Sequence, residues 1–239
     1  MGIRNKNGRT MIGELWVVAM VLLTATAFAA PGTDEAKDGW ISLFDGKTLN
    51  GWKAGENADL WKVENGMIVA PGKRSHLFYD GPVQNHNFKN FELKVDVMTT
   101  TGSNSGVYFH SEFQTVGYPN KGHEAQVNSS HSDPKRTGSL YGVNDYVVKD
   151  PVKETDKLLS HDGMWFTYHI IVKGKQIVFR VDGKTIVDYT EPANVVIPKG
   201  RPGRQLSSGT FALQAHPPAR PTDKGINYFR NILVKPLPE

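Results

Sequence analysis

A period of two runs through this chain, and its clearest instance is Phe91-Glu92-Leu93-Lys94-Val95-Asp96-Val97, apolar at every odd position and charged at every even one. Alternate side chains of a strand face opposite sides of a sheet, so this segment predicts a strand with one face in a core and one in water. Two further runs, Tyr168 to Val172 and Gln176 to Val181, meet across Lys173-Gly174-Lys175 and predict a hairpin. Asp182-Gly183 then supplies a tight turn before a strand from Ile186 to Tyr189. Gly209 to His216 and Tyr228 to Val234 predict the last two strands, and nowhere does the pattern support an amphipathic helix of three turns. The texture is that of an all-β chain folded as an antiparallel β-sandwich.

The first thirty residues follow a different pattern. Arg4, Lys6 and Arg9 precede an apolar run from Leu15 to Leu23, and Ala27-Phe28-Ala29 closes it with a small-residue cleavage signature. This predicts a signal peptide over residues 1–30 and export to the periplasm or beyond, with a retained N-terminal anchor as the alternative. The apolar run is short for a span of about 20 residues, so no stable membrane insertion is predicted. Residues 31–38 read as a linker and residues 39–237 as the domain. About 209 residues then remain, a length that sandwiches commonly fill as one domain.

Composition narrows the chemistry. With no cysteine, neither disulfides, thiolate metal sites, thiol catalysis nor a lipid-anchored cysteine is available. The formal charge is +4, two units of which belong to the leader, and the lysines are interspersed with acids, so no nucleic-acid partner is predicted. Nucleophile-elbow and phosphate-cradling glycine motifs are missing. The sequence leaves the oligomeric state open.

Three strands carry polar residues that a merely structural sheet would not need. In Gly106-Val107-Tyr108-Phe109-His110, alternation sets Tyr108 and His110 opposite Val107 and Phe109. In His123-Glu124-Ala125-Gln126-Val127 it aligns Glu124 with Gln126, and in Phe211 to His216 it aligns Gln214 with His216. Taken singly, each is ordinarily a solvated outer-face residue. Together, in one sheet, they form a face able to hydrogen-bond sugar hydroxyls, with Tyr108 and Tyr141 adding stacking surface. Arg230, alternating with Phe229, either joins that face or makes a structural ion pair. The segment from Asn128 to Leu159 predicts a long loop with a short hairpin near Leu140 to Val148. No cofactor or metal ligand set is predicted, although calcium or another hard cation held by loop oxygens near Asp133 or Asp145 stays open. The strand by which laminarinase-type jelly rolls present paired carboxylates, Glu-x-Asp-x-x-Glu, is missing, which leaves one carboxylate on the candidate face.

Several segments, in order, resemble the 3-keto-disaccharide hydrolase family over nearly the whole mature chain. They are Ser42-Leu43-Phe44-Asp45-Gly46-Lys47-Thr48-Leu49-Asn50-Gly51-Trp52, Asn104-Ser105-Gly106-Val107-Tyr108-Phe109, Glu124-Ala125-Gln126-Val127, Thr137-Gly138-Ser139-Leu140-Tyr141-Gly142, Gly163-Met164-Trp165, Leu213-Gln214-Ala215-His216 and Phe229-Arg230-Asn231-Ile232. His110 stands where the family often has arginine, and Ala215-His216-Pro217-Pro218 replaces a more usual Asp-His-Gly. The resemblance implies a concanavalin A-like jelly roll with its site on the concave sheet, and a carbohydrate substrate already oxidised at carbon 3. A ketone there acidifies the carbon 2 proton, so a single base can start elimination of the glycosidic leaving group, with water adding afterwards. On this reading Glu124 or His216 is the base, and the other, or His110, protonates the leaving oxygen. Tyr108, Gln126, Tyr141, Gln214 and Arg230 then bind substrate. A non-catalytic, lectin-like carbohydrate-binding module is the alternative, and a glucanase is disfavoured by the missing carboxylate pair.

Overall fold

The computed structural model describes residues 38–143 and 158–239. Both the predicted leader and nearly all of the predicted linker lie outside these residues, as do Asp145 and the later part of the predicted hairpin near Leu140. The described chain is built from β1 (Ile41–Ser42), β2 (Trp52–Ala54), β3 (Lys62–Glu64), β4 (Met67–Ala70), β5 (Ser75–Tyr79), β6 (Phe91–Thr99), β7 (Ser105–Ser111), β8 (His123–Val127), β9 (Trp165–Lys173), β10 (Gln176–Val181), β11 (Lys184–Thr190), β12 (Thr210–Ala215) and β13 (Asn227–Pro236). Its only described helices are two short 3₁₀ turns, Ala58–Leu60 and Val83–His86.

Two antiparallel sheets make the sandwich. The outer one runs β11-β10-β9-β6-β13-β4-β3, with β1 also paired to β13, and the inner one runs β2-β5-β12-β7-β8. In β6 the odd residues from Phe91 to Thr99 are buried and the even ones are not, as the alternation predicts. The β9–β10 hairpin turns at Gly174 and Lys175, and Asp182 and Gly183 take φ of 47° and 79° between β10 and β11, where a two-residue hairpin turn requires positive φ. Leu93, Val95, Val97, Tyr168, Ile170 and Phe179 of the outer sheet meet Val107, Phe109, Ala125, Phe211 and Leu213 of the inner one in a single core.

The inner sheet departs from simple alternation in one respect that matters for the site. Its second face is not wet: Tyr108, Glu124, Gln126 and Gln214 are all buried, because loops fold back over it. One of these is the β7–β8 loop, residues 112–122, which Gln114 ties down by donating to the Val116 and Tyr118 carbonyls. Glu56 holds the same loop by accepting from the Gly117 N–H at 3.0 Å, while it pairs with Arg74 through two bonds. A second, residues 128–136, is organised by Asn128. Its amide donates to the Asp133 and Lys135 carbonyls and accepts from the His131 N–H and the Arg136 guanidinium, so all four of its hydrogen bonds are made. The third, residues 191–209, is stitched to the first through Gly203, whose carbonyl accepts from Gly122 and whose N–H donates to Asn120.

Candidate active site

The three strands β12, β7 and β8 are adjacent in the inner sheet, so Gln214, Tyr108 and Glu124 come side by side. Glu124 is nearly fully buried. The Tyr108 hydroxyl donates to its Oε2 at 2.6 Å, and the Gln214 amide donates to its Oε1 at 3.1 Å and to the Tyr108 oxygen at 3.1 Å. Burial pushes the Glu124 carboxyl above the ordinary carboxylate range, against the opposing pull of Tyr108, Arg204, Arg201 and Gln214. Burial also raises the Tyr108 hydroxyl, and the neighbouring Glu124 charge adds to that rise.

Gly106 makes room for this arrangement. It lies on β7 opposite Gln126, and a Cβ there would meet Glu124 Oε1 at 2.5 Å. Farther along the face, the Gln126 amide donates to Asn104 Oδ1 at 3.1 Å, while its own Oε1 is buried with no hydrogen-bond partner among the described residues.

Above these strand residues is a cavity of about 190 Å³, lined by Asn104, Tyr108, Tyr118, Glu124, Gln126, Asp133, Tyr141, Arg201, Gln214 and His216. That is small beside the ~300–1,000 Å³ of sites for drug-sized ligands, and suits one compact polar ligand. His216, one residue beyond β12, packs edge-on against His131 at 5.3 Å and, with its ring tilted by 34°, against Tyr118 at 5.9 Å. Its Nδ1 lies 2.7 Å from the Pro217 carbonyl oxygen. A carbonyl can only accept, so Nδ1 carries the hydrogen and Nε2 is left as the nitrogen that exchanges a proton. Tyr141 donates to Asp133 Oδ2 at 3.3 Å and has Lys135, Arg201 and Arg204 around its ring, with the Lys135 ammonium 4.0 Å from the centroid. Arg201 Nη1 is buried without a hydrogen-bond partner among the described residues.

The structure thus brings together Tyr108, Glu124, Gln126, Tyr141, Gln214 and His216, and it separates two residues predicted to join them. His110 has φ of 54°, and the β7–β12 register slips beside it. This bulge breaks the alternation and turns the ring away from Tyr108. The imidazole instead bonds the Lys89 carbonyl and the Ser207 N–H, 5.8 Å from the Phe91 ring, and burial lowers its pKa to about 4. Arg230 belongs to β13 of the other sheet, where it pairs with Asp96 at 3.5 Å and lies 3.9 Å over the Trp165 ring. It is the structural ion pair, and the cation in the cavity is Arg201.

A single carboxylate on the face was also too few, since the 128–136 loop adds Asp133. Asn104, Tyr118 and Arg201 were not anticipated as lining residues; Asn104 alone sits inside a segment that the resemblance had marked. Asp133 Oδ1 accepts from the Lys135 N–H, and among the described residues no three His, Cys, Asp or Glu side chains are grouped as they would be to hold a metal ion. No described helix is long and apolar enough to cross a membrane.

Comparison with known proteins agrees with this architecture. A Bacteroides thetaiotaomicron protein named 3-keto-disaccharide hydrolase is 39% identical over 80 residues, which is 30% of this chain and only 27% of that relative. Two solved Parabacteroides distasonis structures, each proposed to be a glycosyl hydrolase, share the fold at 22% identity. One has a TM-score of 0.70 and covers 87% of this chain and 99% of that one; the other has a TM-score of 0.58 and covers 83% and 99%. The model of the 3-keto-alpha-glucoside-1,2-lyase-like domain matches residues 39–235, from just before β1 to the penultimate residue of β13, and the chain belongs to that family.

Proposed function

We propose that this protein cleaves the glycosidic bond of a sugar that carries a ketone at carbon 3, by elimination followed by addition of water. The observation that carries this reading is the Glu124 carboxylate, buried and hydrogen-bonded by Tyr108 and Gln214 in a cavity that also holds His216. Family membership and the name of the Bacteroides relative support the substrate class. The leader pattern of residues 1–30 supports export to the periplasm or the extracellular space.

The chemistry divides between two groups. Glu124, made more basic than an ordinary carboxylate by burial, takes the proton from carbon 2, which the adjacent ketone has acidified. The carbon 2 electrons form a double bond to carbon 1, the bond from carbon 1 to the leaving oxygen breaks, and His216 Nε2–H protonates that oxygen. Water then adds to carbon 1 and gives a proton back to His216 Nε2, while Glu124 returns its proton to carbon 2. Both residues end as they began, with one water consumed. Arg201 Nη1 and Gln126 Oε1, a buried donor and a buried acceptor, offer partners to the enolate oxygen and a sugar hydroxyl. No paired-carboxylate stabilisation of an oxocarbenium ion is needed.

The test is to incubate the protein with 3-keto and ordinary disaccharides, with and without chelator, and to follow reducing-sugar release. Cleavage confined to the 3-keto compound, and lost in Glu124→Gln with binding retained, is the expected result. Full turnover by Glu124→Gln removes Glu124 from the mechanism, and retention of glycan without any product release establishes the lectin-like alternative.

A further inference from the structure

His123 points from β8 to the side opposite Glu124, where it stacks on Phe109 at 5.6 Å and lines a cavity of about 610 Å³. Tyr189 of β11 lines the same cavity, so it lies where the end strands of the two sheets, β8 and β11, come together. It shares no lining residue with the active-site cavity.

Arg204 stands in its wall, only 3% exposed. Its Nη1 donates to the Tyr141 carbonyl, but Nε and Nη2 are buried without a hydrogen-bond partner, and no carboxylate among the described residues pairs with it. The seat is specific, since a Cβ on Gly142, itself at φ of 88°, would collide with Nη1. A guanidinium keeps its proton at any ordinary pH, so Arg204 cannot escape burial by becoming neutral. Burial and the like charge of Arg201 disfavour the cation more than the Glu124 carboxylate favours it. Glu191, beside His123, is engaged elsewhere: it lies 3.5 Å from His123 Nε2 and 3.6 Å from the Lys175 ammonium, and it accepts from the Leu206 N–H. The two free nitrogens of Arg204, Nε and Nη2, are the pair that a carboxylate bonds side-on through two parallel hydrogen bonds.

Around this cation the cavity turns apolar. Val143, Tyr189, Val195 and Val196 line it, and Val196 is 88% exposed on its rim. The volume falls within the ~300–1,000 Å³ of small-molecule sites. We propose that this cavity binds a small carboxylate that carries an apolar group, with the carboxylate on Arg204 and the apolar body against Tyr189 and Val196. The site is separate from the elimination chemistry and does not depend on it.

The experiment is calorimetric titration of the full chain with 3-phenylpropionate, 3-phenylpropionamide and acetate. One 3-phenylpropionate should bind per chain, and the amide and acetate, each lacking half of the pattern, should bind roughly tenfold or more weakly. Arg204→Gln should erase the preference for acid over amide, Arg201→Gln should keep it, and Val196→Ser should weaken the acid roughly threefold. Equal affinity for acid and amide, or no saturable binding to wild type, overturns the proposal. Binding that survives in Arg204→Gln and is lost in Arg201→Gln places the anion in the active site and overturns it too. Should circular dichroism show Arg204→Gln unfolded, the surface variant Val196→Ser decides, and unchanged affinity there removes the site.

Discussion

The Glu124 carboxylate occupies the space that any side chain on Gly106 would claim, with Oε1 only 2.5 Å from where a Cβ would be. Two strands are involved: β8 carries the acid and β7 the gap that admits it. Gly106→Ala should therefore push the carboxylate off Tyr108 and Gln214 while leaving the sheet paired. A displacement of this size in a catalytic group costs on the order of a hundredfold in kcat/KM. Undiminished activity in this variant would mean that the position of the carboxylate does not matter to the reaction.

Tyr108 tests the electrostatics of the same group. Its hydroxyl favours the ionised form of Glu124, and the base must be ionised to accept the carbon 2 proton. Tyr108→Phe should therefore shift the acid limb of the kcat/KM profile to higher pH, because the carboxyl becomes harder to ionise. An acid limb that stays in place would argue that Glu124 does not set it.

His110 should matter for stability and not for turnover. It is held neutral by burial, with its pKa lowered from 6.5 to about 4, so the unfolded chain binds the proton first as pH falls. The stabilisation is fully present above the unfolded value of about 6.5 and is lost as pH drops through about 4, amounting to roughly 3 kcal/mol. His110→Asn, with a side chain that tolerates positive φ, should flatten the fall in Tm between pH 6.5 and 4 and leave kcat/KM at neutral pH within about twofold. A collapse of kcat in this variant would restore His110 to the chemistry.

The two arginines should separate in the same way. Arg201→Gln removes the cation from the cavity and should raise KM or lower kcat tenfold or more, as loss of an oxyanion partner does. Arg230→Gln breaks the pair with Asp96 and the stack on Trp165, away from the cavity, so activity should be unchanged and stability should fall by about 1 kcal/mol. Steady-state kinetics beside denaturant unfolding would check both, and the reverse pattern would return Arg230 to the site.

How far each feature could be read from the sequence follows from its physical origin. Strands β6, β9 and β10 are half-buried, and period-two alternation is what half-burial imposes on a sequence, so their faces were plain. The same rule grouped Tyr108, Glu124, Gln126 and Gln214, because the side-chain direction of a regular strand is fixed by parity. It failed at His110, where one bulged residue at positive φ reverses the direction without any change in composition. It was silent about Tyr118, Asp133 and Arg201, since these arrive on irregular loops held by specific bonds such as those of Asn128 and Gly203, which leave no periodic trace. Alternation likewise could not tell a solvated face from one roofed by loops.

The account stands or falls on proton removal from carbon 2. Carrying out the reaction on a 3-keto-glucoside in D₂O, and analysing the released 3-keto sugar at early times by NMR against a no-enzyme control, reads that step directly. One deuterium at carbon 2, appearing with the rate of bond cleavage and absent with Glu124→Gln, is the expected result. Cleavage that leaves the original hydrogen on carbon 2 would contradict elimination and with it the role given to Glu124.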